Sequence, residues 1–464
     1  MNTFTSPPPE TPDPGTPNFG VPTRIPFSAV DEAVHLLETE AAPWSIQMEV
    51  AVEGRLDEGR LRAAFGHALA AHPMARARKV ASRPAEHTDQ WEILPIPEHD
   101  PLRVVHCADD AELAAARAEL QSLAVPLAEA PPLRARLARH PRGDVVMLNA
   151  NHAAMDGFGA LRFLYSVARN YAGDHDPTPA PPPQEAREYP ERLATGSFGV
   201  RMRRRLALAE KLRDIVAPPA RLAPDGASGE AGYGFHQVAL SAAQTRALLG
   251  LDHLGTVNDV LLCALNLAIA GWNADHGQPC GRIGVLVPAN LRPTQWRMDV
   301  VGNFSLPARV STTPRDRRSA QATLRALTSQ TERKKKTGMG TALVVGLGGA
   351  RRLPLWAKQT LVALMPLTGN RLVDTAMLSN IGHVAEPPSF GPDAGRTVDL
   401  WFSPPGRMPL GLTLGVVTVG GRLHLSFRYR HRLFGPDAAR QFVDRYVAEL
   451  VAFTGGDESM RLAS

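Results

Sequence analysis

The stretch from Asp144 to Leu164 constrains this chain more than any other, and it reads Asp-Val-Val-Met-Leu-Asn-Ala-Asn-His-Ala-Ala-Met-Asp-Gly-Phe-Gly-Ala-Leu-Arg-Phe-Leu. Val145 to Leu148 is apolar and rich in β-branched residues, as a buried strand is, while Gly159 to Ala168 sets Leu161, Leu164 and Ala168 on one helical face. The pattern predicts strand, turn and helix, with His152, Asp156 and Gly157 in the turn. A side chain at the end of a buried strand is held rigidly yet faces a cleft, which suits a general base. His152 is therefore the candidate base. Asp156 either steers the imidazole or locks the turn by pairing with a distant arginine, and Gly157 lets the backbone turn sharply into the helix. Judged by type alone, a histidine here is more often a hydrogen-bonded structural residue. No metal is expected, because His152 and Asp156 are only two ligands and no third stands close in sequence.

The rest of the chain reads as two α/β units. With 464 residues, 44% of them apolar, there is material for two cores. Residues 1–22 are Pro-rich and polar and are expected to be disordered. A first unit is expected over 23–172, a Pro-rich linker over 173–187 and a second unit over 188–456. In the first unit, Ser28 caps a helix, Trp44 to Val52 is a strand, and a helix ends at His72-Pro73. Strands over 74–80 and 91–96, a helix over 110–123 and a hairpin over 132–138 and 144–150 follow. In the second unit, a basic helix covers 198–216, a strand 234–240 and a helix 241–249. Thr256 caps a long apolar helix with Asp259 in its first turn, 284–288 is a strand, and helices span 314–336 and 353–367. Strands over 398–402, 411–419 and 423–429, the last two joined at Gly420-Gly421, precede a closing helix from Pro436.

Several classes of function are set aside. The most apolar helix candidate carries Asn258, Asp259 and Asn266, so no transmembrane segment is expected, and the first residues lack the basic and apolar regions of a signal peptide. A cytoplasmic location follows as an expectation. Cys107, Cys263 and Cys280 form neither a disulfide framework nor a zinc motif. A net charge of +5 is modest and does not argue for nucleic acid. The glycines from 338 to 349 have Leu343 where a dinucleotide loop needs glycine, and Thr195-Gly196-Ser197 lacks the first glycine of a nucleophile elbow.

Asn151-His152-Ala153-Ala154-Met155-Asp156-Gly157 resembles the His-His-x-x-x-Asp-Gly motif of the thioester-dependent acyltransferase superfamily. That superfamily includes nonribosomal peptide condensation domains, wax ester synthase/diacylglycerol acyltransferases, polyketide-associated acyltransferases and chloramphenicol acetyltransferase. Asn151 replaces the first histidine, and the second, which the family uses as its base, is His152. Other elements with the same resemblance are Thr256-Val257-Asn258-Asp259, Arg292, Gly302-Asn303-Phe304 and Ser379-Asn380-Ile381-Gly382, in that order.

The resemblance implies two chloramphenicol acetyltransferase-like domains in a V, with an active-site tunnel at their interface and His152 midway along it. It implies that Arg292 pairs with Asp156, that Gly302 and Asn303 lie along the substrate channel, that Ser379 or Asn380 donates toward an oxyanion or shapes a turn, and that Thr413 passes near the site. Arg333, Lys334, Lys335 and Lys336 are either a solvated, dipole-complementing helix end or the site of coenzyme A or pantetheine phosphates. The implied activity is acyl transfer from a coenzyme A or carrier-protein thioester to the hydroxyl or amine of a small metabolite, with no tightly bound cofactor and the protein a monomer. The alternatives are a free-standing condensation enzyme with two carrier-bound substrates, and a catalytically silent docking module of the same fold.

Overall fold

A computed structural model describes residues 23–38, 43–177, 181–194, 217–251, 255–278, 280–336, 351–364, 371 and 373–455. The expected disordered N-terminus, the basic helix over 198–216 and the glycine-rich stretch over 338–349 lie outside these residues.

The first half contains β1 (Thr23–Pro26), α1 (Ala29–Leu37), β2 (Ser45–Val52), α2 (Glu58–Ala71), β3 (Ala77–Lys79), β4 (Gln90–Ile93), β5 (Leu102–His106), α3 (Asp110–Ser122), β6 (Leu133–His140), β7 (Gly143–Asn151), α4 (Gly157–Ala172) and α5 (Pro183–Ala194). The second half contains β8 (Tyr233–Ala239), α6 (Ala242–Leu249), α7 (Val257–Asp275), β9 (Ile283–Asn290), β10 (Ser305–Thr312), α8 (Ala320–Lys336), α9 (Leu355–Ala363), β11 (Ala376–Val384), β12 (Thr397–Ser403), β13 (Leu412–Val419), β14 (Arg422–Arg430) and α10 (Pro436–Gly455). Helix starts follow the capping residues. Ser28 accepts from the Asp31 amide while Asp31 accepts from that of Ser28, and Ser241 and Gln244 repeat the arrangement on α6.

Each half centres on one large sheet. The first has strand order β12-β2-β7-β6-β5, the second β10-β9-β11-β13-β14-β8, and β1-β4-β3 form a small third sheet. Strand β7 is buried along its whole length because it is central: β2 and β6 flank it, and α2 and α4 cover one face. Val146, Leu148 and Ala150 point into that core with Phe65, Leu161 and Leu164. Helix α7 is buried in the second core, against the large sheet and the helices α8 and α10. Among the described residues it is the one helix long and apolar enough to cross a membrane, and its apolar residues are spent on this core.

Four expectations change. Residues 73–76 form a 3₁₀ turn because Pro73 cannot donate to a ladder, which leaves β3 with three residues. Strands β5 and β10 were not expected. The linker assigned to 173–187 is helical from Pro183, and Arg187 within it is buried, ion-paired to Asp31 and stacked 5.3 Å from the Trp91 ring. Finally, β12 lies in the second half of the sequence but pairs antiparallel with β2, closing the edge of the first sheet. The core of the first lobe accordingly takes in Phe402, Met377, Ile381 and Val417. At the tip of the β13–β14 hairpin, Gly420 and Gly421 have φ of 55° and 70°, the conformation a two-residue turn of this type demands.

Candidate active site

His152 follows directly on β7. Its backbone amide donates to the Trp44 carbonyl (3.0 Å), which fastens the turn to the start of β2. The ring is largely buried, with 8% of the residue exposed, and Nδ1 lies 3.3 Å from the Met155 carbonyl. A carbonyl can only accept, so that contact fixes the proton on Nδ1 and leaves the lone pair on Nε2. Burial lowers the pKa of the ring below its ordinary value; the nearby Asp156 charge and the Met155 carbonyl oppose the shift without overcoming it. The imidazole is thus neutral at neutral pH, the state in which it can accept a proton.

Asp156 is the N-cap of α4. Its Oδ1 accepts from the Gly159 amide (2.8 Å) and its Oδ2 from the Phe304 amide (2.9 Å). Arg292 completes the set with a two-pronged contact, Nη1 to Oδ2 at 3.2 Å and Nη2 to Oδ1 at 3.0 Å, both side chains buried. Of the two roles open to Asp156, the geometry selects pairing with the distant arginine. Arg292 also donates to the Val300 and Gly302 carbonyls and lies 4.5 Å from the Phe304 ring. A desolvated ion pair holds only if most of its remaining polar positions are filled; here both carboxylate oxygens and both Nη atoms have partners, and Nε of Arg292 has none.

The glycine of the motif works differently from the expectation. Gly157 is the first residue of α4, and a Cβ there would lie 2.9 Å from Cε2 of Phe402 and 3.5 Å from Cδ1 of Ile381. It admits β12 and β11 against the helix start rather than sharpening a turn. Gly302 likewise makes its close approach to α4: its carbonyl takes the Asp156 amide and sits 2.9 Å from where a Cβ of Gly159 would be. The Gly-Asn-Phe element is a clasp on the His-motif turn. Asn303 is buried, its Oδ1 accepting from the Ser305 amide and its Nδ2 without a partner.

Asn151, at the place of the first histidine, donates from Nδ2 to both oxygens of Glu38 (3.0 and 2.9 Å) and to the Val125 carbonyl, and accepts from the Ala153 amide. Burial pushes the Glu38 carboxyl up to about 7. Ser379 and Asn380 are half-buried on β11, where Asn380 Oδ1 accepts from the Gly382 amide at a bulge, one residue from the Ile381 that touches the motif. Thr413 is buried on β13 and donates to the Pro404 carbonyl (3.3 Å). Arg333 to Lys336 close α8 beside the start of α7, where Thr331 donates to Asp259; the hydrogen bonds of His152, Asp156 and Arg292 do not include them.

Neither of two cavities among the described residues is lined by His152, so neither is the expected tunnel. One of about 110 Å³ lies behind the Asp156–Arg292 pair, among His72, Met74, Val301, Gly302 and Phe304. A larger one of about 540 Å³ lies between Phe27, Ser28, Arg187 and Arg351. The ring meets the exterior only through its small exposed fraction.

Sequence reasoning missed Arg428. It is buried at the seam, donates to the carbonyls of Ser45 (3.1 Å), Gln121 and Pro404, and stacks 3.7 Å from the Tyr233 ring, with its pKa lowered by burial to about 10. The signal was the alternation Ser426, Arg428, Arg430, which puts polar residues on one face of a strand otherwise read as core.

Comparison with known proteins agrees with this architecture. No family model matches the chain. The uncharacterized proteins Rv2305 and MT2362 of Mycobacterium tuberculosis are each 34% identical to it over 433 residues, covering 90% of this chain and 97% of their own. The chain belongs to their family. Its fold is that of the condensation and epimerization domains of peptide synthetases, with two chloramphenicol acetyltransferase-like lobes. The first condensation domain of the calcium-dependent antibiotic synthetase, in complex with a substrate analogue, superimposes with a TM-score of 0.71 at 15% identity over 93% of this chain and 96% of its own. The epimerization domain from the third module of tyrocidine synthetase B gives 0.67 at 17% identity, over 94% and 97%. SgcC5 from Streptomyces globisporus, in complex with a naphthyl ethanediol, gives 0.65 at 18% identity, over 93% and 99%.

Proposed function

We propose that this protein is an acyltransferase that moves an acyl group from a coenzyme A or carrier-protein thioester to a hydroxyl or amine of a small acceptor. The observation that carries the reading is the His152 ring: proton held on Nδ1 by the Met155 carbonyl, pKa lowered by burial, Nε2 bearing the lone pair. The acceptor's O–H or N–H gives its proton to Nε2 as its heteroatom attacks the thioester carbonyl, and the thiol departs with a proton returned through the same ring. Bringing both reactants to one buried imidazole supplies much of the rate advantage without an acyl-enzyme.

The condensation fold supports acyl transfer or condensation as the reaction type. SgcC5 was solved with a diol, which favours an alcohol acceptor, whereas the synthetase domains favour carrier-bound partners. Incubating the protein with a panel of acyl-coenzyme A and acyl-carrier thioesters plus candidate alcohols and amines, and following thiol release and product mass, decides among them. Thiol release with no donor above the acceptor-free rate would favour the silent docking module.

A further inference from the structure

Helix α9 is amphipathic the wrong way round. Its inward face carries Leu355 and Lys358, 3% and 4% exposed, and Lys358 Nζ donates to both oxygens of Glu32 on α1 (2.9 and 2.8 Å) and to the His87 carbonyl. Its outward face carries Trp356 and Leu361, 56% and 57% exposed, with Leu364 at 47% and Leu353 just before the helix at 38%. Positions 356, 360 and 364, with 357 and 361 beside them, form one stripe at helical spacing. The helix thus buries its cation through an ion pair and turns its largest apolar side chains to the outside. Scattered exposed leucines need no explanation, but four large apolar residues within twelve positions do.

The surroundings indicate what covers the stripe. From 351 to 364 there is no acidic residue, and Arg351 and Arg352 enter the helix, Arg352 exposed. A stable protein partner needs about 800 Å² per side, more than one nine-residue helix offers. A tryptophan and leucines on one face with arginines at its end suit the boundary between headgroups and acyl chains of a bilayer.

We propose that the outward face of α9 docks the protein peripherally on an anionic lipid surface, with Trp356, Leu361 and Leu364 below the headgroups and Arg352 among them. This goes beyond the acyltransfer reading and is independent of it.

The test is co-sedimentation of the full chain with vesicles of phosphatidylcholine alone and of phosphatidylcholine with phosphatidylglycerol. The protein is expected to pellet with the anionic vesicles and to do so less with the neutral ones. Trp356→Glu with Leu361→Glu is expected to lower the bound fraction about tenfold with an unchanged melting temperature, and Leu364→Gln to lower it by a smaller factor. Should the double variant melt early, Leu364→Gln alone serves. Wild-type protein left in the supernatant with both vesicle types, equal binding to both, or undiminished binding of the variants overturns the proposal. So does a wild-type dimer in solution that the variants turn to monomer without any vesicle binding, since the stripe would then meet a second copy.

Discussion

Asp156 and Arg292, 136 residues apart in sequence, meet through two side-chain hydrogen bonds in a buried pocket beside His152. The pair joins the turn after the central strand of the first lobe to the loop after β9 of the second. Removing one partner strands a charge away from water, which costs about 3–5 kcal/mol. Asp156→Asn and Arg292→Ala are each expected to lower the melting temperature and the soluble yield, and the double variant to lose less than the sum of the two. Thermal unfolding of the three proteins measures this; normal melting in both single variants removes the pair as the brace.

His152→Ala is expected to reduce acyl transfer by about 10²- to 10⁴-fold, the range general-base catalysis spans, with the melting temperature retained. The pH profile carries a sign. Because the ring's pKa is depressed, it stays neutral through pH 7, and activity declines only in acid, below the ordinary histidine range. A rate that falls already between pH 8 and 7 would show that His152 is not the titrating base.

Gly157→Ala places a methyl group against Phe402, and relief requires β12 to move. We expect a cost of about 1–3 kcal/mol, recovered largely when Phe402→Leu is added. A denaturant titration of the single and double variants reads the coupling. Independent effects of the two substitutions would mean that the contact is slack.

Glu38 predicts a pH dependence of stability. Its carboxyl ionises at about 7 in the folded chain and near 4.5 when unfolded, so between those values the folded state holds the extra proton. Stability is therefore expected to rise as pH falls from 8 to 5, by roughly 2–3 kcal/mol relative to Glu38→Gln, whose curve lacks this component. Parallel curves for the two proteins would show that the burial of Glu38 does not perturb it.

If the basic end of α8 receives the donor's phosphates, replacing Lys334, Lys335 and Lys336 together with alanine raises the apparent KM for the thioester roughly three- to tenfold at unchanged kcat. Steady-state kinetics with the best donor of the panel test this, and an unaltered KM returns the run to a dipole-complementing helix end.

Local chemistry made much of this legible in advance. The apolar run before His152, the cap of α4, the caps Ser28, Ser241 and Thr256, and the diglycine between β13 and β14 are short-range signals, and each element formed where its residues indicated. The pairing of Arg292 with Asp156 came only from the company of motifs, because nothing within either segment records the other. What stayed hidden depends on tertiary context. Strand β5 ends in exposed and half-buried residues and has no clean alternation, and β10 is an edge strand broken by Pro307, so neither stood out from loop. The role of Gly157 could not be read, because it is set by Phe402, far along the chain. Met155 entered through its carbonyl, which every residue has.

The return of β12 to the first sheet has a consequence for biogenesis. As the chain leaves the ribosome, β2 emerges early, yet the neighbour that closes its outer edge is not made until residues 397–403. The first lobe can gather much of its core before then, but its open ladder stays available for mispairing until β12 has been added. Cutting the gene at the proline-rich connection would leave the amino-terminal fragment with that ladder permanently unpaired, so the two lobes are separable as shapes and inseparable as products.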